Sequence, residues 1–382
     1  MEFVYRAPDF TAEPLASATP ARFEPAPADG VLPEGFFATT NLPTYVHIAG
    51  QWRLPRHPRM DGAIVIDDDG SLAIREGRYV RAAQPVAIGR AEDGSEGIFV
   101  HSNAFTEGAG ADEFQFMRSE VSREKPVDYP LLARLMIDER ARRGHIVWVV
   151  GPAILHAGGR DTLTWFVDNG FVGALLGGNA IAVHDIEQAL MGTTLGMDRA
   201  GRPVPGGHSF HMRAINQIAA AGSIPDAVQQ GVLTKGILHA CVKNGVPFVL
   251  AGSIRDDGPL PDTIRDIARA QEIMREHATR ATMAVMIATA LHSIAFGNML
   301  PAYVDEGEGR LRPLATVAVD SSEFVVSKLK DRGTNQAFGV ITNAQDFLHV
   351  LQHFVETQLG AAPPGDPAAS THDARATESV GS

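Results

Sequence analysis

Phe248 to Pro261 reads FVLAGSIRDDGPLP. A short apolar run, Phe248, Val249 and Leu250, opens into Ala-Gly-Ser, and Arg255, Asp256 and Asp257 follow before Gly258-Pro259. The pattern is that of a buried strand emptying into a rigid polar loop at its C-terminal edge. In open α/β sheets ligands bind at that edge, so Arg255, Asp256 and Asp257 are candidates for chemistry. Taken alone, the segment also suits a solvated acidic turn, since Gly and Pro punctuate both.

Working outward, further apolar runs end in turn residues. His145 to Val150 (HIVWVV) stops at Gly151-Pro152, and Gly173 to Leu176 stops at Gly177-Gly178-Asn179. Ala284 to Ile287 (AVMI), Ala315 to Val319 ahead of Asp320, and Phe338 to Ile341 ahead of Thr342-Asn343 complete the series. Helical patterns lie between the runs, over Asp161 to Asn169, Val183 to Leu190, Pro261 to His277, Phe324 to Lys330 and Ala344 to Gln358. Strands alternating with helices predict a parallel sheet with both faces covered. The near-continuous apolar character of the strands agrees with that. The expected fold class is therefore α/β, a Rossmann-like parallel sheet with helices on both faces.

The rest of the chain divides around this block. Residues 1–40 are rich in Pro and Ala and read as an extended N-terminal arm. Residues 41–115 read as a small β-rich domain, with strands at Ala63 to Ile66, Ser71 to Ile74, Val86 to Ile88 and Gly97 to His101 forming a small barrel or meander. Residues 116–360 are the Rossmann-like domain. Residues 361–382 are polar with almost no large apolar side chains, and such a tail buries too little surface to offset its ordering entropy, so disorder is expected there.

The chain has 382 residues and a formal net charge of -12. That charge argues against a nucleic-acid footprint and against a polybasic membrane surface. The single cysteine, Cys241, excludes an internal disulfide framework and a zinc-type Cys cluster; it suits a reducing cytosol, and a cytoplasmic location is expected. The N-terminus, MEFVYRAPDF, does not read as a signal peptide. No apolar run reaches the ~18 residues that span a bilayer.

Several residues are candidates for chemistry. No Gly-x-Gly-x-x-Gly follows the run at 145–150, so the dinucleotide fingerprint is missing. Other strand ends nevertheless suit a nucleotide. Gly177-Gly178-Asn179-Ala180 is a tight turn with an amide suited to phosphate or ribose oxygens. Asp320 stands where an adenosine ribose diol is bound, or else caps a helix. His184, Asp185 and Glu187 resemble a metal cluster, but helix capping and surface charge explain them better. His208 and His211 form a possible zinc pair, with loop or surface roles favoured. Cys241 reads as packing. His292 lies just past the strand at 284–287, beside small residues, where an imidazole can be functional.

The motifs GGNAIAVHDIE (177–187), MGTTLGMD (191–198), GGHSFHMRAIN (206–216), CVKNGVPFVLAGSIRDDGPLPD (241–262) and ATALHSIAFGNMLP (288–301) carry a family resemblance. With FQFMRSEVSREKP (114–126) and the β-rich stretch before it, they resemble the archaeal-type ornithine cyclodeaminase family, also called LOR/SDH-like. That family includes the C-terminal part of the cyanobacterial bifunctional arginine dihydrolase/ornithine cyclodeaminase. The resemblance runs in order over roughly residues 45–355. It implies NAD as cofactor, with contacts at Asn179, Ala180, Asp257, Thr289, Ala290, Leu291, His292, Asp320, Thr342 and Asn343. These include the strand ends picked out above. The chain departs from the family's tendencies at Asp320-Ser321-Ser322-Glu323, at Ile341-Thr342-Asn343, at Thr289-Ala290-Leu291-His292 and at His208-Ser209-Phe210-His211. The last change loses an Arg and gains a Phe in a substrate loop, which puts substrate identity in doubt more than cofactor binding.

The resemblance implies conversion of L-ornithine to L-proline and ammonia by internal hydride transfer. Asp256, Asp257 and His292 are the candidate catalytic residues, Arg255, Lys125 and Lys243 the candidates for the substrate carboxylate, and Glu120 for the distal amine. A net dehydrogenase or imine reductase on another amino acid or amine stays open, as does a non-catalytic NAD-binding protein, which the Arg-Asp-Asp loop and His292 disfavour. The expected partner is a small amino acid, with no nucleic acid and no membrane, and the expected assembly is a homo-oligomer in amino-acid metabolism.

Overall fold

The computed structural model describes residues 3–107, 127–156, 158–198, 200–330 and 336–360. The expected disordered tail at 361–382, and Glu120, Lys125 and the 114–126 motif, lie outside the described residues.

The first region runs through short strands: β1 (Phe3–Tyr5), β2 (Arg22–Pro25), β3 (Thr44–Ile48), β4 (Gln51–Arg53), β5 (Ala63–Ile66), β6 (Leu72–Arg75), β7 (Pro85–Ile88), β8 (Ile98–Val100) and β9 (Phe105–Glu107). A four-stranded sheet in the order β2-β7-β5-β6 and a three-stranded sheet in the order β4-β3-β8 enclose a core that includes Val46, Ile64, Ile74, Ala87 and Ile98. The arrangement is two facing antiparallel sheets rather than a single meander. The strands expected near 63, 71, 86 and 97 are all present. The segment 1–40, expected as an extended arm, contributes two paired strands to this region: β1 pairs with β9 and β2 pairs with β7.

The second region alternates helix and strand: α1 (Tyr129–Ala141), β10 (Ile146–Val150), α2 (Gly159–Asp168), β11 (Ala174–Gly178), α3 (Asn179–Met191), α4 (Phe210–Ala221), α5 (Ile224–Gln229), α6 (Ile237–Lys243), β12 (Phe248–Ala251), β13 (Thr263–Ile264), α7 (Ile267–Arg280), β14 (Met283–Ile287), α8 (Ala290–Gly297), β15 (Tyr303–Asp305), β16 (Leu311–Pro313), β17 (Ala315–Asp320), α9 (Glu323–Lys330), β18 (Gln336–Ile341) and α10 (Ala344–Gly360). Seven parallel strands form one sheet in the order β13-β12-β11-β10-β14-β17-β18. Apart from β13 this is the 3-2-1-4-5-6 order of dinucleotide folds, whose ligand crevice opens where the order reverses. Here that point lies between β10 and β14.

Alternation along the strands explains their continuous apolar sequence. Ile146, Trp148 and Val150 face one core, with Met283, Val285 and Ile287 beside them. Val147 and Val149 face the other, with Ala284 and Met286. Helices cover both faces, so both sets are buried. Trp148 satisfies its indole by donating Nε1–H to the Phe171 carbonyl at 2.9 Å.

Some helix boundaries differ from the sequence reading. The pattern at Pro261 to His277 predicts one helix, but Thr263 and Ile264 pair with β12 and the helix starts at Ile267. Asp266 sets that start by accepting the Arg269 N–H at 3.1 Å. The helix expected from Val183 begins four residues earlier, at Asn179.

The two regions meet along α7. Glu76 pairs with Arg59 and Arg78 of its own region and with Arg275 of α7. Arg78 also donates to Gln271 at 2.9 Å, and Tyr79 to Glu272 at 3.3 Å. The β15–β16 hairpin adds a second contact, with Tyr303 and Leu311 packed on Ala104 and Phe105. Among the described residues no helix is long and apolar enough to cross a membrane.

Candidate active site

A cavity of about 550 Å³ opens at the C-terminal ends of β10, β11, β12 and β14. Its volume lies in the ~300–1,000 Å³ range of small-molecule sites.

Each strand end is shaped by a residue that only a small side chain suits. A Cβ on Gly151 would stand 1.8 Å from the Ala288 carbonyl oxygen, so β10 and β14 close on each other here because Gly151 has none. Ala288 itself takes a left-handed φ of 56°, which turns the chain from β14 into α8. A Cβ on Gly177 would meet the Val150 carbonyl oxygen at 3.0 Å, and one on Gly178 would meet His292 Cε1 at 3.0 Å.

The loop after β12 is fixed, not solvated slack. Asp256 accepts the Ser253 N–H at 2.7 Å, and Ser253 Oγ accepts the Arg255 N–H at 3.2 Å. Gly252 donates to the Ile264 carbonyl at 2.9 Å, and Asp262 accepts the Ile224 N–H at 2.9 Å. Asn179 pins the far end, its Oδ1 accepting from Leu260 N–H at 3.0 Å and from the Thr263 hydroxyl at 3.1 Å. The Asn179 side-chain oxygen thus holds protein, while the residue also lines the cavity. Ser253, Arg255, Asp256 and Asp257 line the cavity, so this loop carries its charged residues to the site.

Opposite stands α8. Thr289, Ala290, Leu291 and His292 all line the cavity. His292 Nδ1 lies 3.0 Å from the Thr289 hydroxyl, and the ring also bonds to the Ala251 carbonyl. A carbonyl only accepts, so the nitrogen facing Ala251 carries the hydrogen and Nδ1 accepts from Thr289. Burial pushes the imidazole pKa below its usual value, and the Asp256 charge and the Ala251 bond offset that only in part.

The remaining sequence candidates separate. Ala180 lines the cavity with Asn179. Asp320, Thr342 and Asn343 lie at the ends of β17 and β18, beside that cavity's lining rather than in it. Asp320 accepts the Ser322 N–H at 2.9 Å, which braces the turn ahead of α9 rather than capping the helix itself, and its carbonyl accepts from Thr342 N–H at 3.1 Å. Lys243 is not brought to the site: it is exposed at the C-terminal end of α6, which leads into the opposite end of β12.

Two further histidines line the cavity: His184 from α3, which the sequence favours as helix capping over a metal ligand, and His211 from α4, favoured there as a loop or surface residue over a zinc ligand. Among the described residues no group of three metal-ligating side chains exists. Asp185 and Glu187 are fully buried, contrary to the surface charge expected of them. Asp185 accepts from Arg160 Nε at 2.6 Å and from the Ile237 and Leu238 N–H groups at 3.1 and 2.9 Å, so it caps α6. The signal available in sequence was the His-x-x-Glu spacing, which places His184 and Glu187 on one helix face.

The site suits a dinucleotide. Helices α3 and α8 both start at the cavity with no side-chain cap on their first N–H groups, and such termini receive anionic groups. The glycines at 151, 177 and 178 allow backbone to approach closely. Fold and site together define a Rossmann-type enzyme with its ligand crevice at the point of strand-order reversal.

Comparison with known proteins narrows the class. Residues 43–130 match the first region, and residues 131–351 the Rossmann fold, of the arginine dihydrolase ArgZ-like C-terminal family. The ornithine cyclodeaminase of Methanopyrus kandleri is 46% identical over 335 residues, covering 86% of this chain and 77% of that protein. The bifunctional arginine dihydrolase/ornithine cyclodeaminase AgrE of a Nostoc species is 42% identical over 87% of this chain, which spans only 46% of it. A crystal structure of a conserved LOR/SDH protein from Methanococcus maripaludis superposes with a TM-score of 0.77 at 40% identity, covering 89% of this chain and 98% of that one. The ternary complex of AgrE with ornithine and NAD⁺ superposes with a TM-score of 0.56 at 37% identity over 90% of this chain and 47% of that one. The chain belongs to the ArgZ-like C-terminal family, that of the archaeal ornithine cyclodeaminases.

Proposed function

We propose that this protein is an NAD-dependent ornithine cyclodeaminase, converting L-ornithine to L-proline and ammonia. The observation that carries the reading is the cavity itself. In a chain 46% identical to an ornithine cyclodeaminase, one arginine, two carboxylates and three imidazoles converge on the reversal point of a dinucleotide-type sheet. Bound NAD⁺ supplies a hydride acceptor for the α-carbon and afterwards the hydride that reduces the cyclic imine.

The chain's own residues do the rest. Arg255 offers a guanidinium fork to the substrate carboxylate. Asp256, braced by Ser253 N–H, holds its charge toward the substrate amines. Asp257, the exposed neighbour, takes a cofactor hydroxyl or amide. His292 has both nitrogens engaged, so it fixes Thr289 against the ends of β11 and β12, and it moves a proton only by exchange through the Thr289 hydroxyl. Asp320, Thr342 and Asn343 extend the cofactor site along the sheet edge. The protein acts in proline formation in the cytoplasm, and as a homo-oligomer.

The test is incubation of purified protein with catalytic NAD⁺ and a panel of amino acids, following ammonia and the nicotinamide absorbance together. Ammonia and proline from ornithine with no net NADH are expected. A stoichiometric NADH signal would instead mean a net dehydrogenase, and no ammonia from ornithine overturns the reading.

A further inference from the structure

The wall facing His292 carries a second imidazole with a different arrangement. Ala180, Val183 and His184 line the cavity from α3, and His211 and Ile215 line it from α4. His184 Nδ1 lies 3.1 Å from Glu187 Oε2, one helical turn on. Glu187 is fully buried and also accepts from the Thr193 hydroxyl at 2.9 Å and from the Leu195 and Gly196 N–H groups at 3.2 and 2.8 Å. Burial alone would raise its pKa, but the donors outweigh that, and His184 leads them. An ionised acceptor so placed requires the hydrogen on His184 Nδ1, leaving Nε2 with a lone pair in the neutral ring. Among the described residues no hydrogen bond to that Nε2 is made, whereas His292 has both nitrogens occupied. A base oriented by a buried carboxylate, with its reactive nitrogen open to a cavity, is the dyad arrangement of general-base sites.

We propose that His184, positioned by Glu187, is the base that moves protons between the two substrate nitrogens during ring closure. The proposal rests on the ornithine cyclodeaminase reading. On its way from ammonium to ring iminium the δ-nitrogen gives up two protons. The α-nitrogen, on its way from iminium to released ammonium, takes up two. Each transfer leaves the electron pair on nitrogen, so one Nε2 alternating between lone pair and N–H balances the exchange. The imidazolium that forms in between is neutralised by the Glu187 carboxylate.

The first test is independent of turnover. Nitrogen NMR of the full chain bound to NAD⁺ is expected to find His184 as the Nδ1–H tautomer, and the Nε2–H tautomer would overturn the assignment. The second is His184→Ala. Ammonia release is expected to fall at least about 100-fold, the lower end of what a general base contributes, with NAD⁺ affinity unchanged and activity partly restored by added imidazole. Wild-type rates in His184→Ala overturn the proposal alone; a wild-type protein that releases no ammonia overturns the substrate reading and the proposal with it. In Glu187→Gln, kcat is expected to fall with KM little changed. If that variant does not fold, His184→Gln, which keeps size but lacks a base, must reproduce the loss.

Discussion

Gly151 and Gly236 are positions where a methyl group has nowhere to go. A Cβ at Gly151 would overlap the Ala288 carbonyl oxygen, and one at Gly236, whose φ is 112°, would reach Arg160 Nη2 at 2.1 Å. Gly151→Ala is expected to cost roughly 1–3 kcal/mol, the usual penalty of overpacking, read as a lower Tm together with weakened NAD⁺ binding. Asp185→Ala leaves the Arg160 guanidinium and two α6 N–H groups without their buried acceptor. About 3–5 kcal/mol is expected from urea unfolding, the cost of breaking a buried pair. Asp257→Ala is expected to weaken NAD⁺ binding, measured by fluorescence titration, with Tm within a degree or two of the parent since the side chain is exposed. Arg255, Asp256 and Asp257 were legible in the sequence because a strand's end is visible as a change of composition. The role of Asn179 was not, because its partners Leu260 and Thr263 lie more than eighty positions away.

At the scale of elements, the sheet's strands announce themselves as continuous apolar runs, and six of the seven were readable. The seventh, β13, is two residues long and owes its existence to pairing with β12, which no local pattern records. The same pairing explains why α7 starts late. At the opposite end of the sheet from the cavity, His145 and His277 stack with nitrogens 3.1 Å apart. Burial, then His277 and Arg280, lower the His145 pKa from 6.5 to about 4, and burial and Arg280 also lower that of His277. Both folded values lie below the unfolded one. Above pH 6.5 neither state holds the extra proton. Between 6.5 and about 4 the unfolded chain binds protons that the folded pair refuses, so stability falls as pH drops through that window. The difference between wild type and His145→Gln in unfolding free energy, from urea titrations, is expected to change across it by on the order of 2–3 kcal/mol.

For the whole molecule, the junction of the two regions depends on one carboxylate. Glu76 meets three arginines, one of them Arg275 of α7. Its pKa is pushed up by burial and pulled further down by those guanidinium groups, so it stays ionised. Glu76→Gln leaves these cations under-neutralised and is expected to split a single thermal transition into two, or to lower its midpoint by several degrees, in scanning calorimetry. The sequence divided the chain into a β-rich and a Rossmann-like part, but not the joining of β1 and β2 to the first part. Those strands are too short and too rich in Pro and Ala at their flanks to signal pairing.

The imidazole of His292 touches three strand ends at once: it bonds to the carbonyl of Ala251, the last residue of β12, sits against Gly178, the last residue of β11, and holds Thr289 after β14. Opening any one of these turns therefore requires the ring to let go of the other two. Amide protons around residues 178, 251 and 289 should exchange with deuterium as a single cooperative unit, at one shared opening rate. A ligand gripping one of the three turns would slow exchange at all of them, so occupancy becomes visible at backbone positions the ligand never reaches.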